Sequence, residues 1–90
     1  PQMFHAHFNE GVAWGRLDSL AAAVAAFERY VALRPDAADG YLQLGDACAR
    51  GGDRPCARDA LARYLELAPQ TDPHRERVRA YLRGTDPGAP

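Results

Sequence analysis

Residues 38–71 read ADGYLQLGDACARGGDRPCARDALARYLELAPQT, and residues 4–37 read FHAHFNEGVAWGRLDSLAAAVAAFERYVALRPDA. Laid on each other without a gap, at an offset of 34 residues, they match at Gly11/Gly45, Ala13/Ala47, Arg16/Arg50, Ala23/Ala57, Ala26/Ala60, Arg29/Arg63, Tyr30/Tyr64, Leu33/Leu67 and Pro35/Pro69. Coincidences that share one offset mark an internal repeat, and a period of this length belongs to stacked arrays of small supersecondary units.

Each unit divides into two helices. In the first, helix A covers about 4–16 and helix B about 19–33, with Asp18 or Ser19 as the cap of helix B and Pro35 beyond its end. In the second, Asp36 caps helix A and Asp39 stands in its first turn. Gly51-Gly52 stops that helix, Asp53 caps helix B with Pro55 in its first turn, and Pro69 closes the unit. Turns of a few residues make each pair antiparallel. Thr71-Asp72-Pro73 opens a further helix over 73–83, with Gly84 as its stop. The fold class is all-α.

Composition sets the outer limits. The 90 residues are 47% apolar and 26% charged, a balance that folds and does not stay disordered. No apolar run is long enough for a membrane helix, and no leader sequence is recognisable, so membrane insertion is not expected. Eleven basic and 12 acidic residues leave a net charge of −1, which removes any strong drive toward nucleic acid. All 11 basic residues are Arg; with the abundant Ala, Gly and Pro this suggests a GC-rich bacterial genome. No Gly-rich phosphate loop, His-Glu-x-x-His or nucleophile elbow is present, so neither enzyme chemistry nor a cofactor is expected.

The joint spacing resembles the tetratricopeptide repeat, whose pattern is aromatic-x2-Leu-Gly-x2-Tyr in helix A, then Ala-x3-Phe and a closing Pro. The second unit supplies Tyr41, Leu44, Gly45, Cys48, Ala57, Leu61 and Pro69; the first supplies Gly11, Trp14, Ala23, Phe27 and Pro35. The resemblance implies a right-handed α-solenoid of two antiparallel helix-turn-helix repeats, 4–37 and 38–71, closed by a capping helix at 72–84. Together these form one domain over 1–84, followed by a flexible tail at 85–90. Small Gly11, Ala23, Gly45 and Ala57 let helices A and B approach, and Phe27 and Leu61 fill the space beside them. Two departures stand out. His7 and Glu10 occupy the aromatic and Leu slots of the first unit, where they either pair at i,i+3 or mark a displaced helix. Cys48 replaces an aromatic in the second. In the trailing helix, Arg75 and Arg79 fall where another helix B would pack, so their charge solvates the end of the array while Val78, Tyr81 and Leu82 cover the second unit.

In this family, helices A line a concave face that binds peptides or partner helices. The register places His5, Phe8, Asn9, Val12, Asp39, Leu42, Gln43, Asp46, Glu76 and Arg77 there. The carboxylate-gripping variant of the family is not expected, because its basic and amide positions fall on Phe8, Val12, Gln43, Pro73 and Arg77, of which only Arg77 agrees. Phe4, Phe8 and Val12 form an apolar stripe at i,i+4,i+8. An upstream segment, a second copy in a homodimer or a separate partner are the three candidates to cover it. Ala21, Ala22, Ala25 and Ala32 form an alanine-rich face, either an exposed surface of good helix formers or a seat for another helix.

Cys48 and Cys56 span the turn of the second unit and are either a disulfide or two reduced thiols. Helical repeats of the related Sel1-like type use similar spacing outside the cytoplasm. A bridge would imply the periplasm or cell surface, and free thiols the cytoplasm. Zinc is not expected from two cysteines alone. His5 and His7 point about 200° apart on a helix, and Met3, His7 and Glu10 make a weak ligand set, so no metal is expected. His74 is read as solvated. The favoured function is protein–protein interaction, as the scaffold or adaptor segment of a larger bacterial protein or complex. A self-associating module and a noncatalytic regulatory domain of an enzyme are the alternatives.

Overall fold

Periodic apolar positions become helices wherever caps and prolines allow. The computed structural model describes residues 3–85, and all its regular elements are helical: α1 Met3–Arg16, α2 Leu20–Leu33, α3 Ala38–Arg50, α4 Arg54–Leu67 and α5 Arg75–Thr85. Thr85, the first residue of the expected tail, is the last of α5, and 86–90 lie outside the described residues. Each helix packs on the next along the chain.

The two closures after helix A repeat as closely as the sequence does. Ser19 N–H donates to the Trp14 carbonyl and Asp53 N–H to the Cys48 carbonyl, both at 2.9 Å. The residue just before each donor is left-handed: Gly52 at φ 81° and, in the equivalent place, Asp18 at φ 57°. Such a residue lets the chain fold back to satisfy the last carbonyls of the helix. Glycine adopts it freely, while aspartate is among the few other residues that tolerate it.

Capping differs from expectation in the first unit and at α3. Ser19 holds the N-cap position of α2 without a side-chain bond, and Asp18 is drawn instead to Arg50, 2.6 Å away. Ala37, not Asp36, is the N-cap of α3; Asp36 folds back to Arg34 at 3.5 Å. Asp39 does stand in the first turn. Asp53 caps α4 as expected, accepting from Cys56 N–H at 3.1 Å, with Pro55 in the first turn. Asp72 accepts from His74 N–H at 2.9 Å ahead of α5, which starts at Arg75. Gly84 does not stop that helix: it lies in helical conformation with open space around it.

Close approach explains the paired small residues. A methyl group added at Gly11 would stand 2.5 Å from the Phe27 ring, and one added at Gly45 would stand 2.5 Å from Leu61. These are equivalent contacts, one per unit. Phe27 and Leu61 are 3% and 5% exposed, and burial of each contributes about 1.5–3 kcal/mol. One core cluster joins Ala23, Phe27, Leu44, Ala47, Cys48, Ala57 and Ala60; a second joins Leu42, Leu61, Tyr64, Ala68 and Val78, with Tyr81 packed against both.

The expectation for Arg75 is corrected. It does not solvate the end but is 6% exposed, donating to the Leu65 and Ala68 carbonyls at 2.9 and 3.1 Å. These carbonyls lie at the α4 C-terminus, where no intrahelical donor remains. Arg79 is exposed and pairs with Glu76 at 3.2 Å.

Candidate partner-binding grooves

Among the hollows that the described residues line, two lie on either side of α3. The first, about 300 Å³, runs between α1 and α3: Gly11, Val12, Gly15 and Arg16 face Gln43, Asp46, Ala47 and Arg50, with Phe27 beneath. The second, about 200 Å³, is floored by Leu42, Leu61 and Val78 and edged by Asp46, Arg77 and Tyr81. Asp46 is exposed and borders both. Each groove thus has an apolar floor and rims of opposite charge.

Of the register-derived residues, Val12, Gln43 and Asp46 meet in the first groove, and Leu42, Asp46 and Arg77 in the second. Leu42 is not a surface residue: it is 9% exposed and belongs to the core beneath. His5 and Asn9 are exposed outside both grooves. Asp39 accepts from the Tyr30 hydroxyl at 3.3 Å, and Glu76 is held by Arg79. Phe8 turns inward, its ring 5.7 Å from that of Phe27 and 5.0 Å from that of Tyr30. Phe4 lies 6.2 Å from the Tyr30 ring, with the Arg34 guanidinium 4.8 Å above its face. The Phe4, Phe8 and Val12 stripe is half-buried and meets its own chain.

Sequence reasoning missed Gly15, Arg16 and Arg50 as groove residues. The signal was present in the repeated pair Arg16/Arg50. Arg50 donates to the Gly15 carbonyl at 3.1 Å and to Asp18, tying the end of α1 to α3.

His7 Nδ1 lies 3.1 Å from Glu10 Oε1, the i,i+3 pairing their departure from the pattern allows. Among the described residues no three His, Cys, Asp or Glu side chains gather as a metal site, and no helix is long and apolar enough to cross a membrane. Cys48 and Cys56 sit at disulfide distance, their Cα atoms 5.8 Å apart. His74 is exposed, its Nδ1 3.3 Å from Arg77.

Burial and hydrogen bonding shift Tyr64, Asp72 and Tyr30. Burial raises the Tyr64 hydroxyl to about 12, with the neighbouring Asp72 carboxylate adding to it. That hydroxyl is buried without a partner in hydrogen-bond geometry. The Asp72 carboxyl is held below its ordinary value, first by the His74 N–H and then by Tyr64. Burial, and then Asp39, raises Tyr30. The groove linings combine apolar floors with the charged side chains of Arg16, Asp46, Arg50 and Arg77. Comparison with protein-family models, curated proteins and solved structures finds no match.

Proposed function

We propose that the chain is a protein-interaction module of the tetratricopeptide type, a right-handed solenoid of two antiparallel helical hairpins closed by α5. It holds a segment of another protein along the grooves that flank α3. The observation that carries this reading is Asp46, one exposed carboxylate bordering two apolar-floored grooves, with Arg16 and Arg77 on the opposite sides. An extended segment laid across α3 would set a cation at Asp46 and small apolar side chains on either side of it.

The repeat assignment draws support from the equivalent contacts Gly11–Phe27 and Gly45–Leu61 and from the twin closures at Asp18 and Gly52. It also draws on the way Tyr30 lies against Gly40 while Leu20 lies against Gly51, which pairs the end of α2 with the start of α3 and the reverse. A bridged Cys48–Cys56 would place the module in an oxidising compartment such as the periplasm or cell surface.

Immobilised chain carrying Asp46→Arg or Arg16→Glu should lose the proteins that unaltered chain retains from a bacterial extract, with helical circular dichroism unchanged. Retention of the same proteins by both variants overturns the grooves as the binding surface.

A further inference from the structure

Two cysteines of unequal reach meet across the α3–α4 turn. Cys48, near the end of α3, is 1% exposed and belongs to the core cluster with Ala23, Phe27 and Ala57. Cys56, in the first turn of α4, is only partly buried and packs against that cluster from outside it. Their Cα atoms are 5.8 Å apart, at disulfide distance. Asp53 accepts from the Cys56 N–H at 3.1 Å, so a carboxylate stands at the same turn.

Thiol–disulfide exchange needs a thiolate to reach one sulfur in line with the bond that breaks, so access selects the sulfur. Approach to Cys56 from the side away from Cys48 comes from solvent. Approach to Cys48 from the side away from Cys56 passes through the core. Cys48 also borders a hollow with Leu20, Ala21 and Val24, but Asp53 edges it, and that carboxylate repels an incoming thiolate.

We propose that Cys48 and Cys56 form an exchange site for small external thiols such as glutathione, in which Cys56 bonds the incoming thiol and Cys48 is the leaving and resolving sulfur. In the bridged chain, a thiolate bonds Cys56 Sγ, the Sγ–Sγ bond breaks, and its electron pair leaves on Cys48, which takes a proton from water. In the reduced chain, the Cys56 thiolate attacks a small disulfide such as oxidised glutathione and expels one half as thiolate. Cys48 then gives up its proton, attacks Cys56 Sγ and expels the other half, closing the bridge. The same mixed disulfide on Cys56 lies between the two states in both directions. Steps that form or use the Cys48 thiolate take place in apolar surroundings, which slows them and lets the adduct accumulate. The pair decides whether α3 and α4 are cross-linked, so the second hairpin answers to the thiols around it. Neither cysteine lines a groove, and the site is independent of the groove reading.

The fully reduced chain, folded and mixed with oxidised glutathione, tests this. Samples are quenched with acid at intervals and cleaved after Arg50, which separates the two cysteines for mass analysis. Early adduct should stand on Cys56 over Cys48 by about tenfold or more, then give way to the bridge. Cys48→Ala should trap the adduct on Cys56. Cys56→Ser should leave Cys48 unmodified over the same interval until urea unfolds the chain. Circular dichroism checks that both variants are folded, and mapping of the unaltered chain decides the order even where a variant unfolds. Equal labelling of the two cysteines, or adduct first on Cys48, overturns the assigned order. Failure of folded Cys48→Ala to take glutathione on Cys56 overturns the site.

Discussion

Arg75, at the start of α5, donates from a buried guanidinium to the carbonyl of Ala68 at 3.1 Å. The same Nη1 reaches the Leu65 carbonyl at 2.9 Å, so one cation caps the end of α4 and anchors α5 to it. Arg75→Met keeps volume but leaves two carbonyls without their donor. It should lower stability by about 2–4 kcal/mol, and thermal melting should show this as a fall of about 10 °C or more. Arg75→Lys, with a shorter reach and no fork, should recover only part of the loss.

Tyr64 behaves in the opposite sense. Its buried hydroxyl has the Asp72 carboxylate beside it but no partner in good hydrogen-bond geometry, so Tyr64→Phe should be close to neutral at pH 7. The folded state holds the Tyr64 proton up to about 12, against an ordinary value of 10.0. Between those values the folded chain binds more protons than the unfolded one, so stability falls as pH rises through that window, by on the order of 2 kcal/mol. Denaturant melts at pH 9 and pH 11 should show this decline in the unaltered chain and a smaller one in Tyr64→Phe.

The glycine contacts give a matched pair of tests. Gly45→Ala and Gly11→Ala each drive a methyl group to 2.5 Å from Leu61 or Phe27. Overpacking of this kind costs about 1–3 kcal/mol, less any gain in helix propensity. Gly84→Ala, with open space around it, should instead stabilise by a few tenths of a kcal/mol up to about 1 kcal/mol. Urea melts of the three variants should separate them by sign.

Cys48 and Cys56 close a loop of eight positions across the α3–α4 turn. In the chain-entropy model such a link adds roughly 2–3 kcal/mol. Mass analysis after alkylation without reductant should find neither thiol modified, and reduction should lower the melting temperature. Full alkylation without reductant would refute the bridge.

The all-helical class, the packing of each helix on the next and the contacts of Gly11 with Phe27 and Gly45 with Leu61 were legible because one offset carried the small and large positions together. The caps were less so. Asp36 and Asp18 have the chemistry of caps, but each finds an arginine, Arg34 or Arg50, whose position only tertiary packing defines. Arg75 misled for the same reason, since a charge reads as exposed until the carbonyls that receive it are located. Of the concave-face residues, register placed Val12, Gln43, Asp46 and Arg77 at the grooves. Leu42 floors a groove from the core and Phe8 packs on Phe27 and Tyr30, because register gives direction around a helix but not how deeply the neighbouring helices cover it.

The bond from Arg50 to Asp18 has a further consequence. The left-handed corner that ends α1 is braced by a residue at the end of α3, so the turn between α1 and α2 is tied to the packing of α3. Linear arrays ordinarily divide their cooperativity into nearest-neighbour terms, and here one such term reaches into a loop. Amide protons at the corner should therefore exchange with those of α3, as one opening unit and not as a fraying end.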